Sequence, residues 1–374
     1  MRPINQIKLF AGVAALAGVV AACSSSTSST AAAPASSGAV ASSSGAASSG
    51  TSAGATRTVT DTTGRTVRIP ANITRVATNL PLVTPMIVAM GGGSKLVYQP
   101  SGQGTPLMAK VDPGLSKVAS APVTSLNAEA VLKLQPQVFI MTALTASLLP
   151  QLTKLGIPVV EIATPSTPAA VEKTVTLVAQ VLGGSAPARA KAFASFYNGN
   201  VAALASASAA GSQHPTVYYA PGPDATTTVG TGNIITNSIE QAGGVNVAAA
   251  HGIGANAAGS YAFPTITTET LLSWNPDYII GISSQVAKLF TSSPQYSALT
   301  AVKNHHVYTC PTGIFAWCAS GPETALQPLF VASLIDPQRV PAAEISSKVK
   351  AFYAEFFGYS LSSAQVADLL AGKD

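Results

Sequence analysis

The chain has 374 residues, enough for two domains of ordinary size, and 47% of them are apolar against 9% charged. The net charge of +5 falls by two, to +3, when Arg2 and Lys8 are set aside, and no run of Lys and Arg occurs, which excludes a nucleic-acid footprint. Such a composition supports a sizeable core and not a highly solvated, charged surface.

The chain opens with a basic start, Arg2 and Lys8, and an apolar run of small residues over 9–22 that is too short for an ordinary membrane span. "VVAAC" closes it. That stretch resembles the lipobox of bacterial lipoproteins, in which the cysteine, here Cys23, becomes the lipidated N-terminus. A plain signal peptide with an incidental cysteine is the alternative. Residues 1–23 therefore predict an export leader. Residues 24–56 are almost wholly Ser, Ala, Thr and Gly, without apolar periodicity, and predict a disordered tether of about 30 Å as a random coil.

A first α/β lobe is predicted over 57–167. "RTVRIP" reads as a short edge strand after the turn "DTTG", and "RVATN" as a second strand. A helix near residues 83–90 stops at the glycines 91–93. "LNAEAVLKLQPQVFI" then gives an Asn127 N-cap, Glu129 in the first helical turn, a stop at Pro136 and an apolar run suited to a buried parallel strand. "ASLLPQLTKLGIPVVEI" adds a helix, a Gly156 stop and another strand. Alternating strand and helix is the α/β pattern.

Residues 168–210 carry hardly a strand signal. "ARAKAFASFYNGNVAALA" sets Phe193, Phe196, Tyr197, Val201 and Leu204 at helical spacing, and predicts a long packed helix connecting two lobes. A second lobe over 211–340 repeats the plan, with strand "TVYYA", helix "NSIEQAGG", and a helix, turn and strand in "SPQYSALTAVKNHHVYTC". Its "ITTETLLSWNPDYII" echoes the first lobe's stretch place for place, 140 residues on: Thr267 over Asn127, Glu269 over Glu129, Pro276 over Pro136. The tail, 341–374, predicts two helices, the last opened by a Ser362–Gln365 capping box. Cys310 and Cys318 lie eight apart in a Pro- and Gly-containing loop, which points either to a disulfide staple, favoured in an exported protein, or to two separate buried thiols.

These pieces together resemble the substrate-binding proteins of bacterial ABC importers for iron-siderophores, haem or cobalamin, from about residue 58 to residue 371. The matching stretches are "VTDTTGRTVRIPANITRVAT", "AEAVLKLQPQVFI", "LTKLGIPVVEI", "TNSIEQAGGVNV", "TTETLLSWNPDYIIG" and "ALTAVKNHHVYTCP". The resemblance implies two Rossmann-like α/β lobes joined by one long helix, with a ligand between them. It also implies that one acidic residue per lobe, Glu129 and Glu269, meets arginines on a membrane permease. Read from the residues alone, each glutamate also complements a helix dipole.

Open α/β folds bind ligands beyond the carboxyl ends of their strands, so the expected ligand loops are 79–84, 98–106, 142–147, 219–231, 283–290 and 313–317. Ligand-binding candidates are Tyr98, Thr142, Tyr219, Thr231, Tyr261, Phe263, Phe315 and Trp317; for each aromatic, packing in the core is the competing role. The loops hold no arginine, which disfavours a highly anionic tris-catecholate and suits a neutral hydroxamate-type chelate, a corrinoid or a small oxyanion. A tyrosine also has the chemistry to ligate haem iron.

Enzyme signatures are missing: no G-x-S-x-G, P-loop or H-E-x-x-H occurs, and "GTGNII" lacks the third glycine of a dinucleotide fingerprint. His214, His251, His305 and His306 show no metal-ligand spacing, although His251 in "AAAHGIGANAAG" is a candidate to reach the cleft. The sequence thus predicts a monomeric, lipid-anchored solute receptor on the outer face of the cytoplasmic membrane. It has no intrinsic cofactor or metal, its ligand is an iron complex, haem or corrinoid, and it touches the membrane only through its lipid. An exported two-lobe hydrolase and a ligand-sensing surface protein without a transporter are the rivals.

Overall fold

The computed structural model describes residues 54–102, 104–208, 214–254 and 263–373. The leader, Cys23, the expected tether up to residue 53, and Tyr261 lie outside the described residues.

The globular part begins with an antiparallel hairpin, β1 (Thr56–Thr60) and β2 (Thr66–Pro70), in which Thr58 pairs with Arg68. Asp61 organises its turn, accepting hydrogen bonds from the Thr63 and Arg65 amides at 3.0 Å each and from the Arg65 guanidinium at 2.7 Å. The "RTVRIP" run is therefore one arm of a separate ribbon, paired only with β1, and not the edge of the main sheet.

The main sheet of the first lobe has five parallel strands: β3 (Val76–Thr78), β4 (Leu96–Pro100), β5 (Ala119–Ala121), β6 (Val138–Thr142) and β7 (Val159–Ile162), in the order β5-β4-β3-β6-β7. All of β6 and β7 is buried, as expected of strands covered on both faces. Four helices return the chain between strands: α1 (Val83–Ala89), α2 (Pro106–Val111), α3 (Ala128–Lys133) and α4 (Leu149–Lys154). Every residue of α1 is buried, which places it in the middle of the molecule.

The connecting segment holds two helices, α5 (Pro168–Leu182) and α6 (Ala186–Ser208). Gly183, at φ 67°, ends the first with a left-handed residue that a side chain would disfavour. α5 packs on α1, and the long helix α6 leads into the second lobe. The aromatics of α6 pack as expected: Phe193 lies 5.8 Å from Phe356 and Phe196 lies 5.3 Å from Phe352. Arg189 of α6 donates to the Ala89 carbonyl at 2.9 Å and the Phe356 carbonyl at 2.8 Å, tying the first lobe to the tail.

The second lobe runs β8 (Thr216–Ala220), α7 (Ile234–Gln241), β9 (Val245–Asn246), α8 (Val247–Ala250), α9 (Thr268–Trp274), β10 (Tyr278–Gly281), α10 (Ser284–Ser292), α11 (Thr300–Lys303), β11 (Val307–Thr309) and α12 (Gln327–Ile335). Its four strands are parallel, in the order β11-β10-β8-β9. The expected loop over 283–290 is mostly helix: Ser283 caps α10 by accepting from the Val286 amide at 3.4 Å. The tail adds α13 (Ala342–Phe357) and α14 (Ser363–Leu370), and the Ser362–Gln365 capping box is complete.

The sequence echo has a backbone counterpart. Gln135 and Asn275 follow α3 and α9 and adopt left-handed φ values of 47° and 44°. Asn127 and Thr267 cap the two helices through side-chain oxygens. Two residues past each left-handed turn, Gln137 and Asp277 hold the start of the lobe's first parallel strand. Gln137 Oε1 accepts from the Thr74 and Arg75 amides at 2.6 and 3.0 Å, and Asp277 Oδ2 accepts from the Thr216 amide at 2.9 Å. The repeated sentence is a repeated device that sets a helix, a turn and two adjacent strands.

Candidate functional site

Strand order fixes where a ligand crevice can open. In the first lobe the order reverses between β3 and β6, and in the second between β8 and β10; open α/β sheets bind ligands outside the carboxyl ends of strands at such reversals. Asn79 follows β3 directly and reaches across its reversal, donating through Nδ2 to Thr145 Oγ1 at 3.1 Å. Its Oδ1 is buried without a partner among the described residues. Thr84, in the first turn of α1, likewise has an enclosed hydroxyl without a partner. Enclosed polar atoms left unpaired are costly, and so mark places where another group belongs.

The two lobes meet along a seam held by side chains. Thr105 Oγ1 donates to the Gly313 carbonyl at 2.6 Å, and Ser320 Oγ donates to the Pro165 carbonyl at 2.6 Å. Two cavities of about 350 Å³ each flank the first of these bonds and share Gly104 and Thr105 as a common wall. One, inside the first lobe, is lined by Thr84, Gln99, Ser101, Asp112, Ser116 and Ser120 among others, so hydroxyls and one carboxylate dominate its polar surface. The other lies between α2, the 312–313 turn and α14, with Leu107, Leu361 and Leu369 as apolar wall and Lys110, Gln365, Asp368 and Lys373 as polar lining. No arginine lines either cavity.

Several expected ligand residues sit elsewhere. Tyr98, Tyr219 and Trp317 are 7%, 1% and 0% exposed, and none lines either cavity. The Tyr98 ring lies 6.3 Å from Phe139 and the Trp317 ring lies edge-on to Phe330 at 6.2 Å, so both are core residues; burial pushes the Tyr98 and Tyr219 phenols up from their ordinary range. A side chain with so little surface does not form a ligand wall in this conformation. Thr142 ends β6 and is buried. Thr231 is exposed, with its hydroxyl 3.3 Å from the Ile253 carbonyl oxygen, and Phe263 and Phe315 are half-buried against the core. His251 stacks on Trp274 at 5.0 Å and His306 on Tyr278 at 4.4 Å, and neither lines either cavity. Among the described residues no group of three or more His, Cys, Asp or Glu is placed to hold a metal ion.

Cys310 and Cys318 are joined by a disulfide, which closes the loop carrying Gly313. Beneath that loop lies Glu323, wholly buried, accepting from the Ile314 amide at 2.8 Å and the Phe315 amide at 2.5 Å. Thr105 and Asn79 fall inside the expected ligand loops 98–106 and 79–84 without being singled out there, and Glu323 was missed. The signal for Glu323 was a lone carboxylate inside the apolar run "GPETALQPLFVASLI"; Thr105 was hidden by its second role as the N-cap of α2.

Glu129 and Glu269 are exposed, each in the first turn of its helix. The Glu269 carboxyl is held below its usual range by its own backbone amide and by the Thr267 hydroxyl. A helix that joins parallel strands runs back against them, so the N-termini of α3 and α9 point toward the end of the sheets where the seam lies. Leu132, one turn after Glu129, is 38% exposed, the one large apolar side chain so exposed among the described residues.

The sequence model of a family described as periplasmic binding protein matches residues 76–312. Among solved structures the chain is similar to a periplasmic solute binding protein from Veillonella parvula, with TM-score 0.72 and 24% identity over 85% of this chain and 97% of that one. It is similar also to the molybdate periplasmic binding protein MolA of a Haemophilus influenzae ABC transporter, solved with molybdate, with TM-score 0.70 and 23% identity over 82% of this chain and 99% of that one. Helicobacter pylori CeuE, solved with a nickel–histidine complex, gives TM-score 0.67 and 18% identity over 84% and 98% of the two chains. No curated protein sequence matches the chain.

Proposed function

We propose a function from one premise: the chain belongs to the periplasmic binding protein family, whose members are extracytoplasmic solute-binding proteins of ABC importers. The protein binds a compact, weakly charged chelate of the ferric hydroxamate kind at the seam between its lobes and delivers it to a permease. The observation that carries this reading is the paired cavities at the Thr105–Gly313 bond, whose polar lining mixes hydroxyls and amides with Asp112, Lys110, Asp368 and Lys373 and holds no arginine. A solute that displaces this single bond joins the two spaces into one site, of the size that small-molecule pockets have. Thr84 Oγ1, on the wall of the first-lobe cavity, supplies unused hydrogen-bonding capacity. The lining's two lysines and two aspartates balance, which suits a chelate without net charge, because burying an uncompensated charge costs far more than burying a dipole.

The two glutamates serve docking. They occupy equivalent places on two similar lobes, both exposed, so a basic permease face recognises their spacing when the solute has set the lobes. Such charges steer and orient more than they add affinity. Cys23 holds the protein to the outer face of the cytoplasmic membrane through a lipid, with the Ser-, Ala-, Thr- and Gly-rich segment ahead of β1 as tether.

Titration of the purified protein with ferric trihydroxamate, followed by intrinsic tryptophan fluorescence, tests the ligand class. A saturable, one-to-one response supports it. A response to haem or a corrinoid without one to the hydroxamate overturns the chelate, and silence toward all three overturns the solute class.

A further inference from the structure

The disulfide-closed loop over residues 310–318 carries Gly313, the second lobe's half of the seam bond. What holds that loop is a buried acid. Glu323 stands in a single helical turn, Pro322–Leu326, with no exposed surface. Its two oxygens take the amides of successive residues: Oε1 accepts from Ile314 at 2.8 Å and Oε2 from Phe315 at 2.5 Å. Oε1 also accepts from the Tyr353 hydroxyl, which comes from α13. A side chain at position 313 would collide with Glu323 Oε1 and the Tyr353 hydroxyl, so glycine is required for the loop to lie so close to the acid.

α13 is itself braced. Phe352, the neighbour of Tyr353, packs on Phe196 of the long helix at 5.3 Å. A continuous line of contacts thus runs from the connecting helix through Phe352 and Tyr353 to Glu323, from there to the loop, and across the seam to Thr105.

We propose that Glu323 is a positioning residue for the solute site: it sets the 310–318 loop so that Gly313 meets Thr105, and solute affinity depends on this acid although it lines neither cavity. The proposal rests on the seam being the solute site. Two features favour positioning over simple packing. A buried acid is an expensive way to fill space, since an apolar residue of similar volume packs there at less cost. And only a carboxyl group offers one acceptor oxygen to each of two successive amides; a glutamine has a single acceptor.

Burial pushes the Glu323 carboxyl up to about 7, against the hydrogen bonds from Tyr353, Ile314 and Phe315 that hold it down. The titratable group facing it is the Tyr353 phenol, itself pushed well up by burial and by the neighbouring acid. The folded value is raised, so protonation favours the clamped loop. The clamp is firmest below the ordinary carboxyl range, loosens as pH rises toward about 7, and is constant above that.

The test is amide hydrogen exchange at Ile314 and Phe315, relative to core amides in β6 and corrected for the intrinsic pH dependence of exchange. In the wild type the relative rate is expected to rise by about threefold or more between pH 5 and 7 and then to level. In Glu323→Gln, whose amide nitrogen cannot accept as the hydroxyl oxygen of the protonated acid still can, one or both amides exchange about tenfold faster than in the wild type at pH 5, and the pH step disappears. Tyr353→Phe, which leaves both amide bonds in place, keeps the protection and moves the step to higher pH, which covers the case of an E323Q protein that fails to fold. Affinity for ferric trihydroxamate falls with loop protection. Wild-type protection at both amides in E323Q overturns the clamp, and a flat wild-type profile overturns its dependence on ionisation. A loosened loop with unchanged affinity overturns its link to the site. A wild type that binds no hydroxamate counts against the solute reading alone, and the exchange data still decide the clamp.

Discussion

Thr105 Oγ1 donates a 2.6 Å hydrogen bond to the Gly313 carbonyl oxygen and, through the same atom, accepts one of 3.0 Å from the Met108 amide. One hydroxyl therefore both caps α2 and joins the lobes. The two roles separate by substitution. Thr105→Ser keeps both and leaves stability unchanged. Thr105→Ala removes both and costs about 1 kcal/mol in thermal or urea unfolding, the usual loss for an N-cap. Thr105→Asp keeps a capping oxygen but sets a carboxylate against a carbonyl, so unfolding is unchanged while small-angle scattering shows the lobes further apart. An unchanged scattering profile in the aspartate variant would mean that the bond does not hold the seam.

Reversal of charge at both Glu129 and Glu269, to lysine, is expected to abolish solute uptake by cells and to leave solute affinity within about twofold, because neither residue lines a cavity and exposed charges contribute little to packing. Either single reversal gives a partial loss. Uptake at the wild-type rate in the double variant removes the docking role.

Much of the fold was legible in the sequence, and Gln135 and Asn275 show why. Both fall between a short helix and a proline, and both adopt the left-handed turn that the break requires. Helix caps, prolines and apolar runs are local signals, and they located α3, α9, β6, β10 and the final capping box. The candidate site was far less legible. Tyr98 and Tyr219 lie within β4 and β8 and Trp317 in the disulfide-closed loop after β11, and in all three places a ligand wall and a core look alike in one dimension; which way an aromatic turns is decided by what packs over it. The residues that meet at the seam, Thr105 and Gly313, are 208 apart and have no shared pattern. The long helix expected on 188–205 is α6, and the rest of the connecting helical segment is a second helix, α5, set off from it by the left-handed Gly183.

The loop closed by Cys310 and Cys318 is short, so breaking the disulfide with Cys310→Ser and Cys318→Ser is expected to cost about 2–3 kcal/mol, the range for small disulfide loops. Glu323 still holds Ile314 and Phe315 in that variant, so amide protection at these two residues falls but is not lost. Differential scanning calorimetry and hydrogen exchange check the two halves separately. A double serine variant as stable as the wild type contradicts the staple.

Asp61 gives the first lobe an acid-sensitive joint. Burial pushes its carboxyl up, but hydrogen bonds from the Thr63 and Arg65 side chains and from the Arg65 and Glu161 amides outweigh this and hold it below the usual range. A carboxyl with a lowered folded value stabilises the fold above its unfolded value, and that contribution disappears as pH falls through the folded one. Asp61→Asn is expected to cost about 2 kcal/mol at pH 7, as for a buried acceptor removed from several donors, with Arg65 partly exposed to solvent. The difference between variant and wild type in urea midpoint should shrink as pH is lowered from 5 to 2. A constant difference would show that ionisation of Asp61 is not what holds the hairpin.

The central claim is that the solute lies at the seam. Gly104 belongs to the wall that both cavities share, and a Cβ added there meets open space, so Gly104→Trp introduces a bulky ring at the seam without a clash at its branch point. Native mass spectrometry with an absorbance spectrum, on wild type and Gly104→Trp recovered from the protein's own host, is the direct measurement. The account predicts one small adduct, coloured if it is a ferric chelate, on the wild type and none on the folded tryptophan variant. The same adduct on both proteins would put the solute elsewhere and contradict it.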